Sequence, residues 1–337
     1  MRRITIEHVA RLSGVSKGTV SRVLNNHPSV SPQTRTRVQE AIAQLGFQPS
    51  SAARGLARGQ RHTIGVAVPN VTVAGLPSPY KTALLEAISN AAADAGYTVQ
   101  VSAARAEEAG EKSNLEWVLD RQVDGVILLD LKEHDQRLAV LRHRQVPFVA
   151  VGTSPVGSWV EVENEEGARL AILHLLDLGH QRIGHIAGPK GLDVTGRRLV
   201  GYRRALEERA LGFEKALVQG AEFTELGGYR TGTALLEQGV TAIFAASDQM
   251  ALGAIEAARD AGLSVPGDLS VVGFDDVLPA RLANLTTVHQ PIASVGRAAT
   301  ELLIALLHGG KEQHLIFPTE LVVRSTTAPP NGRARRR

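Results

Sequence analysis

The chain has 337 residues, 43% of them hydrophobic and 21% charged, and no cysteine. That balance is globular and sufficient for two or three domains, and it excludes disorder as the main state, a disulfide framework, a thiolate metal site and a cysteine nucleophile. No run approaches the ~18 uninterrupted apolar residues of a membrane span and the amino terminus lacks the apolar core of an export signal, so the sequence reads as a cytoplasmic protein with no membrane contact.

The net charge of +3 is unevenly spread. Residues 1–61 carry ten Lys or Arg against Glu7 and Glu40, a net of +8, whereas residues 62–330 carry −9 and residues 331–337 add four Arg. A basic head on an acidic body fits a polyanion-binding module joined to a body with a different task; a merely solvated basic face fits the charge equally well.

Thr5 can cap a first helix over about Ile6 to Ser13, with Val9, Ala10, Ile6 and Leu12 as its apolar side. Gly14 breaks it, Val15 can fill the space beneath the turn, and Ser16 offers the cap of a second helix through Leu24. Val20, Val23 and Leu24 then face inward, which leaves Lys17, Gly18, Ser21 and Arg22 together on the exposed side. A helix presenting Lys and Arg near its start suits the major groove, where either donates to guanine O6 and N7, while hydroxyls hold phosphates. Ser31-Pro32 opens a third helix, with Val38, Ile42 and Leu45 as its buried stripe up to Gly46. A plain packing hairpin fits the two short helices as well.

The body alternates apolar, β-branched runs with amphipathic stretches. The runs are 63–68, 98–101, 125–129, 148–151, 182–187, 242–246 and 270–274, and the helical patterns between them include Lys81–Ala95 and Gln249–Ala261. This predicts two doubly wound parallel sheets, one up to about Val160 and one from about Glu161 to Val288. Ligands bind beyond the carboxyl ends of such strands, which singles out Asn70, Asp130, Gly152, Gly188, Ser247-Asp248 and Asp275-Asp276. Two lobes facing each other across a cleft would enclose a small polar molecule.

The stretch Thr5–Asn26 resembles the lactose repressor/galactose repressor family of bacterial transcription regulators. The likeness continues through His27–Arg35, Leu45–Pro49 and Ala52–Ala57, and into the body at Val123–Val126, Leu178–Ile183, Ala187–Pro189, Arg198–Tyr202, Ala245–Gly253, Val271–Asp276, Leu285–Val288 and Leu321–Arg324. The resemblance implies a helix-turn-helix DNA-binding head (1–48), a hinge helix and linker (49–61) and a two-lobed effector-binding and dimerisation body like periplasmic binding proteins (62–330); the basic tail 331–337 lies outside it and reads as a solvated, disordered end rather than a second DNA contact. The resemblance also implies three crossings between lobes, with lobe 1 at about 62–160 and 290–318 and lobe 2 at about 161–289 and 319–330.

By the same resemblance Lys17, Gly18 and Arg22 read operator bases, and Thr19, Ser21 and Asn25 hold the DNA backbone or orient the reading helix. Leu56, in the hinge segment Pro49–Arg58, wedges between base steps of the minor groove. Tyr80, Arg105, Arg198, Phe223, Ser247 and Asp275 contact the effector. An Arg fork and a carboxylate can grip vicinal hydroxyls, and Phe223 offers a flat apolar face. Arg198 and Asp275 pairing across the cleft, and Phe223 as core, are the plain alternatives. The implied partners are duplex operator DNA, a second copy of the chain and a small molecule, with a sugar, or a sugar acid attracted by Lys81 and Arg105, as the default.

Several positions depart from the family. The segment Asn70–Lys81 is about four residues longer than usual, Gly55 stands where many relatives carry serine or glutamine, Ser247 where asparagine is frequent, and Gly152 where a carboxylate occurs. Leu192 lacks a basic side chain that would suit a purine. No cofactor is implied: His174, His180 and His185 have spacings that scatter them over a helix, its end and a strand, and no phosphate loop, G-x-S-x-G elbow or H-E-x-x-H helix is present. The rival readings are a solute-binding protein without DNA function, which the body alone permits, and a sugar-processing enzyme, which lacks a recognisable acid/base pair.

Overall fold

The computed structural model describes residues 4–24, 27–47, 61–69, 72–73, 76–104, 115, 118, 120 and 122–331. The chain divides into two compact units, Met1–His62 and Thr63–Arg337.

The first unit contains α1 (Ile6–Ser13), α2 (Lys17–Leu24) and α3 (Pro32–Leu45). Gly14 takes the left-handed conformation, φ 65°, and its N–H returns to Ala10 O, which stops α1. Ser16 Oγ accepts from Thr19 N at 3.1 Å and starts α2, while Ser31 Oγ accepts from Thr34 N at 3.3 Å and starts α3. Val9, Ala10, Val20, Val23, Val38 and Ala41 are buried together, with Ile6, Val15, Leu24, Ile42 and Leu45 packed around them. Leu12 departs from the sequence expectation and is 47% exposed. Ser13 takes the inward place instead, its hydroxyl donating to Val9 O at 2.7 Å. Ile6, Val9, Ala10 and Ser13 follow the helical repeat, and Leu12 lies off that stripe.

In the second unit, β1 (Thr63–Pro69), β4 (Thr98–Ala104), β5 (Gly125–Leu128), β6 (Phe148–Val151), β7 (Ser158–Val162) and β13 (His314–Phe317) form a sheet in the order β13-β7-β6-β5-β1-β4. Every pairing in it is parallel. The pair β2 (Thr72–Val73) and β3 (Leu76–Pro77) makes a small antiparallel ribbon in the long segment before the first body helix. The second sheet has β8 (Ile183–Ala187), β9 (Val218–Gly220), β10 (Ala242–Ala245), β11 (Ser270–Asp275), β12 (Thr286–His289) and β14 (Glu320–Val322) in the order β14-β12-β11-β10-β8-β9. Only β14 runs antiparallel there, against β12. Strand β7 extends through Val162, so Glu161 belongs to the first sheet rather than opening the second lobe. Its apolar alternation is interrupted by Glu161 itself, which is why the boundary reads two residues early.

Helices cover both faces of each sheet. On the first, α4 (Pro79–Asp94) and α11 (Ile292–Leu307) bury Leu84, Ile88, Leu302 and Leu303 against Ile64 and Val66, and α5 (Gln136–His143) closes the other face over Val126 and Leu128. On the second, α6 (Asn164–Asp177) and α7 (Asp193–Glu208) cover one face and α8 (Glu225–Glu237) and α9 (Asp248–Asp260) the other, with the short α10 (Leu278–Leu282) beside α9. The chain crosses between sheets after β7, after β12 and between β13 and β14.

The lobes also touch directly. Lys132 and Leu192 form an antiparallel bridge, Glu133 N donates to Gly191 O at 3.0 Å, and Asp193 N donates to Leu131 O at 3.2 Å. Thr153 Oγ1 adds a bond to Asp193 Oδ2 at 2.6 Å.

Helices α8 and α9 meet backbone to backbone through two glycines. A Cβ on Gly228 would lie 2.1 Å from Met250 O, and one on Gly253 would lie 2.0 Å from Glu225 O. Gly253→Ala therefore forces the helices apart and is expected to cost about 1–3 kcal/mol, read as a lowered urea midpoint with an unchanged slope.

Candidate functional site

Beyond the carboxyl ends of both sheets lies a cavity of about 820 Å³, its open mouth included. The first lobe contributes Tyr80, Lys81, Asp130, Gly152 and Glu161, the second Asp193, Arg198, Phe223, Ser247 and Asp275, and the connections Asn164 and Gln290. Of the strand-end residues singled out by sequence, Asp130, Gly152, Ser247 and Asp275 line it. Asn70 lies outside the described residues.

Arg198, on α7, is 5% exposed. Its Nε donates to Asn164 Oδ1 at 2.8 Å, its Nη1 donates to Ala246 O, and its guanidinium lies 3.7 Å over the Phe274 ring. Asp275 Oδ1 is 3.9 Å away, an ion pair without a hydrogen bond. Both groups belong to the second lobe, so they do not pair across the cleft. Burial pushes the guanidinium pKa down, and the Asp275 carboxylate opposes that shift.

The carboxyl groups in and behind the cavity fall into two classes. Asp275 sits at φ 125°, accepts from Gln290 Nε2 at 2.6 Å, and is pushed up to about 7 by burial against the opposing pull of Arg198. Glu161 is likewise pushed up to about 7, by burial first and then by nearby Asp193. Its Oε1 accepts from Val162 N at 2.7 Å and Asn164 Nδ2 at 2.8 Å, while its buried Oε2 has no hydrogen-bond partner. Asp248 and Asp276 stay behind the wall. Asp248 accepts from Thr287 Oγ1 at 2.5 Å and Val277 N at 2.9 Å, and burial raises it well above the ordinary carboxylate range. Asp276 accepts from Arg324 at 2.6 Å and Arg281 at 3.2 Å; those two cations overcome its burial and lower it.

Tyr80, half-buried at the start of α4, has its phenol pKa raised by burial and by the Asp275 carboxylate it faces. Ser247 caps α9, accepting from Met250 N at 3.3 Å, so this cavity residue also has a structural task. Phe223 is half-buried, packed on the second-lobe core while lining the cavity. It approaches Gly188 so closely that a Cβ there would lie 2.4 Å from the ring. Lys81 Nζ is 2.5 Å from Asp130 Oδ2, which neutralises the cation that would draw a sugar acid. Arg105 lies outside the described residues.

The three histidines occupy separate places. His174 meets Thr327 at 3.0 Å, His180 meets Thr241 at 2.9 Å and Ser270 at 3.0 Å, and His185 stacks between Tyr202 and Phe244. Burial lowers all three, His185 to about 4.

In the first unit, Lys17, Gly18 and Arg22 are exposed on α2, and Thr19 and Ser21 are half-buried beside them. Lys17 forms an exposed ion pair with Glu7 of α1. At Gly18 an added Cβ would meet only Ser16 Oγ, at 3.7 Å, so the surface above it is open. Asn25 and Leu56 lie outside the described residues.

Glu161, Asn164 and Gln290 are cavity residues that the sequence reading did not single out as ligand contacts. An acid within the apolar run Val160–Val162 was the available signal for the first. Asn164 and Gln290 carry no local signal, because their place depends on where the chain changes sheets.

Residues 5–50 match the model of bacterial regulatory proteins of the lacI family, and residues 172–327 match a periplasmic binding protein-like domain. The HTH-type transcriptional regulator CelR of Thermobifida fusca is 35% identical, over 96% of this chain and 98% of its own length. A structure of a transcriptional regulator CelR–cellobiose complex superposes with a TM-score of 0.73 at 32% identity, over 96% of this chain and 100% of that one. The lac repressor dimer bound to operator and the anti-inducer ONPF superposes with a TM-score of 0.85 at 30% identity, over 97% and 100%.

The raised carboxyls have a consequence for stability. Unfolded Asp and Glu ionise near ~4, so the contribution of Asp275 and Glu161 is full below that pH and is lost as pH rises through about 7. Asp275→Asn removes one of the two. Thermal melts are expected to show a smaller fall in Tm between pH 6 and 8 for this variant than for the parent, with the histidine contributions common to both.

Proposed function

The chain belongs to the lacI family of bacterial regulatory proteins, DNA-binding transcriptional regulators and not enzymes, and from that premise we propose a cytoplasmic repressor that binds a palindromic operator as a homodimer under the control of a carbohydrate in the interlobe cleft. The observation that carries the DNA reading is the exposed face of α2. Lys17 and Arg22 reach base edges there, Gly18 lets the helix approach closely, and Thr19, Ser21 and Asn25 hold the backbone. The Lys17–Glu7 pair is solvent-exposed and gives way at little cost when DNA competes for the ammonium. Residues 1–48 act as the head, 49–61 as the hinge whose Leu56 enters the minor groove, 62–330 as the sensing and dimerising body, and 331–337 as a solvated tail.

A carbohydrate fits the cleft because Arg198, Asp275 and Asn164 present directed polar groups beside the Phe223 ring, with Tyr80 and Ser247 at the walls. Arg105 completes the proposed contact set. Control is a population shift: the ligand changes operator affinity by its differential affinity for two lobe arrangements. The dimer reading rests on Leu278 and Leu282, one turn apart on α10 and 67% and 77% exposed, with Leu226 at 52%. Apolar side chains this exposed favour an interface.

Fluorescence anisotropy on DNA from the gene's own promoter, with and without a panel of sugars, tests the whole reading; the absence of any preference over scrambled duplex overturns it. Arg22→Ala is expected to cost about 1–3 kcal/mol on the cognate site and much less on random DNA, whereas equal losses make Arg22 a phosphate contact. Leu282→Arg is expected to shift sedimentation toward the monomer and weaken operator binding with it.

A further inference from the structure

We propose that Glu161 is a specificity-determining residue of the cleft: it takes a hydroxyl of an uncharged carbohydrate and turns away carboxylated or phosphorylated ones. The inference rests on the carbohydrate reading above and narrows it to a chemical class. Glu161 is 6% exposed and lines the cavity from the next-to-last position of β7, where the chain leaves the first sheet. One carboxyl oxygen is fixed by Val162 N and Asn164 Nδ2, so the group is oriented, and the other is buried with acceptor capacity unspent. A buried acceptor without a donor is costly, and a ligand hydroxyl that supplies the donor recovers that cost on binding.

The surrounding charges fix the class. Lys81 is held by Asp130 at 2.5 Å. Asp193 is held by Arg197 at 2.9 Å and by Thr153 at 2.6 Å. Arg198 already gives Nε to Asn164 and Nη1 to Ala246 O. Arg198 keeps its charge in the cavity but stands 3.9 Å from Asp275, which it balances, so Glu161 is the cavity carboxyl without an ion-pair partner among the described residues; burial pushes it up to about 7, so around neutral pH it carries charge in part. A negative charge brought by the ligand meets the ionised fraction of Glu161 in a medium that screens poorly. A hydroxyl meets two oriented acceptors. Asn164 connects the first-lobe Glu161 to the second-lobe Arg198, so a hydroxyl bound at Glu161 is read by both lobes.

Calorimetric titration of the full-length protein decides the matter. The panel pairs uncharged sugars (glucose, ribose, cellobiose, maltose) with glucuronate and glucose 6-phosphate. For the unaltered protein the expected result is binding of an uncharged sugar, with the charged ones at least about tenfold weaker, the scale of one hydrogen bond to a charged group. Glu161→Gln keeps the shape and one acceptor oxygen while removing the charge. It is expected to weaken the sugar about tenfold and to narrow discrimination against the charged sugars, with a Tm equal to or above the parent's without ligand. A purely structural Glu161 predicts the opposite, a lower Tm with unchanged discrimination. Equal sugar affinity in both proteins overturns the role of Glu161, and a charged sugar binding as tightly as an uncharged one overturns the class; both leave the carbohydrate reading intact. No binding by any member of the panel overturns that reading itself. If Glu161→Gln does not fold, the comparison of charged with uncharged sugars on the unaltered protein still decides the class.

Discussion

A guanidinium withdrawn from water has to be surrounded by groups held in fixed positions, and in the body of this protein that demand is made by Arg198. Asn164, Ala246 O, the Phe274 ring and Asp275 meet it from four directions. Two of these reach into the connections between lobes. Asn164 begins α6 just after the first crossing, and Gln290, which binds Asp275, follows β12 at the second. One buried cation is thus tied to two of the three places where the chain passes from lobe to lobe. The site and the interlobe connections share their hydrogen bonds, and a ligand that disturbs one disturbs the other.

The two units use charge in contrary ways. On α2 the cations stand in solvent, where ion pairs are weak and readily exchanged, as the Lys17–Glu7 pair illustrates. That suits a surface meeting a polyanion whose contacts are also electrostatic and salt-sensitive. In the cleft the charges are buried, ordered by directed hydrogen bonds, and held near the pH at which carboxyls change state. That suits selection among small molecules that differ by a single group.

Much of the architecture was legible in the sequence because it is periodic. Alternating apolar runs and amphipathic stretches give the two sheets, and glycine and serine at 14, 16, 31 and 46 mark the helix ends of the head. Asp275 was legible from its place beyond the carboxyl end of a strand, whereas Arg198 was legible only through resemblance, since nothing in its neighbourhood distinguishes it from an ordinary helix residue. Leu12 shows the limit of reading hydrophobicity without phase: it is apolar but lies off the helical stripe, and Ser13, satisfied by a bond to Val9 O, is inside. The lobe boundary shows another, because an acid in a strand looks like its end. Glu161 is that acid. The contacts between residues 131–133 and 191–193 had no sequence signature, being backbone pairing between segments far apart in the chain.

Those backbone contacts make the cleft a caliper. Leu131, Leu192 and Asp193 are at once part of the cavity wall and part of the pairing that joins the lobes, so an occupant's girth bears on the same peptide groups that keep the jaws together. The breadth of the cleft is thereby set by peptide groups as well as by the polar side chains that line it.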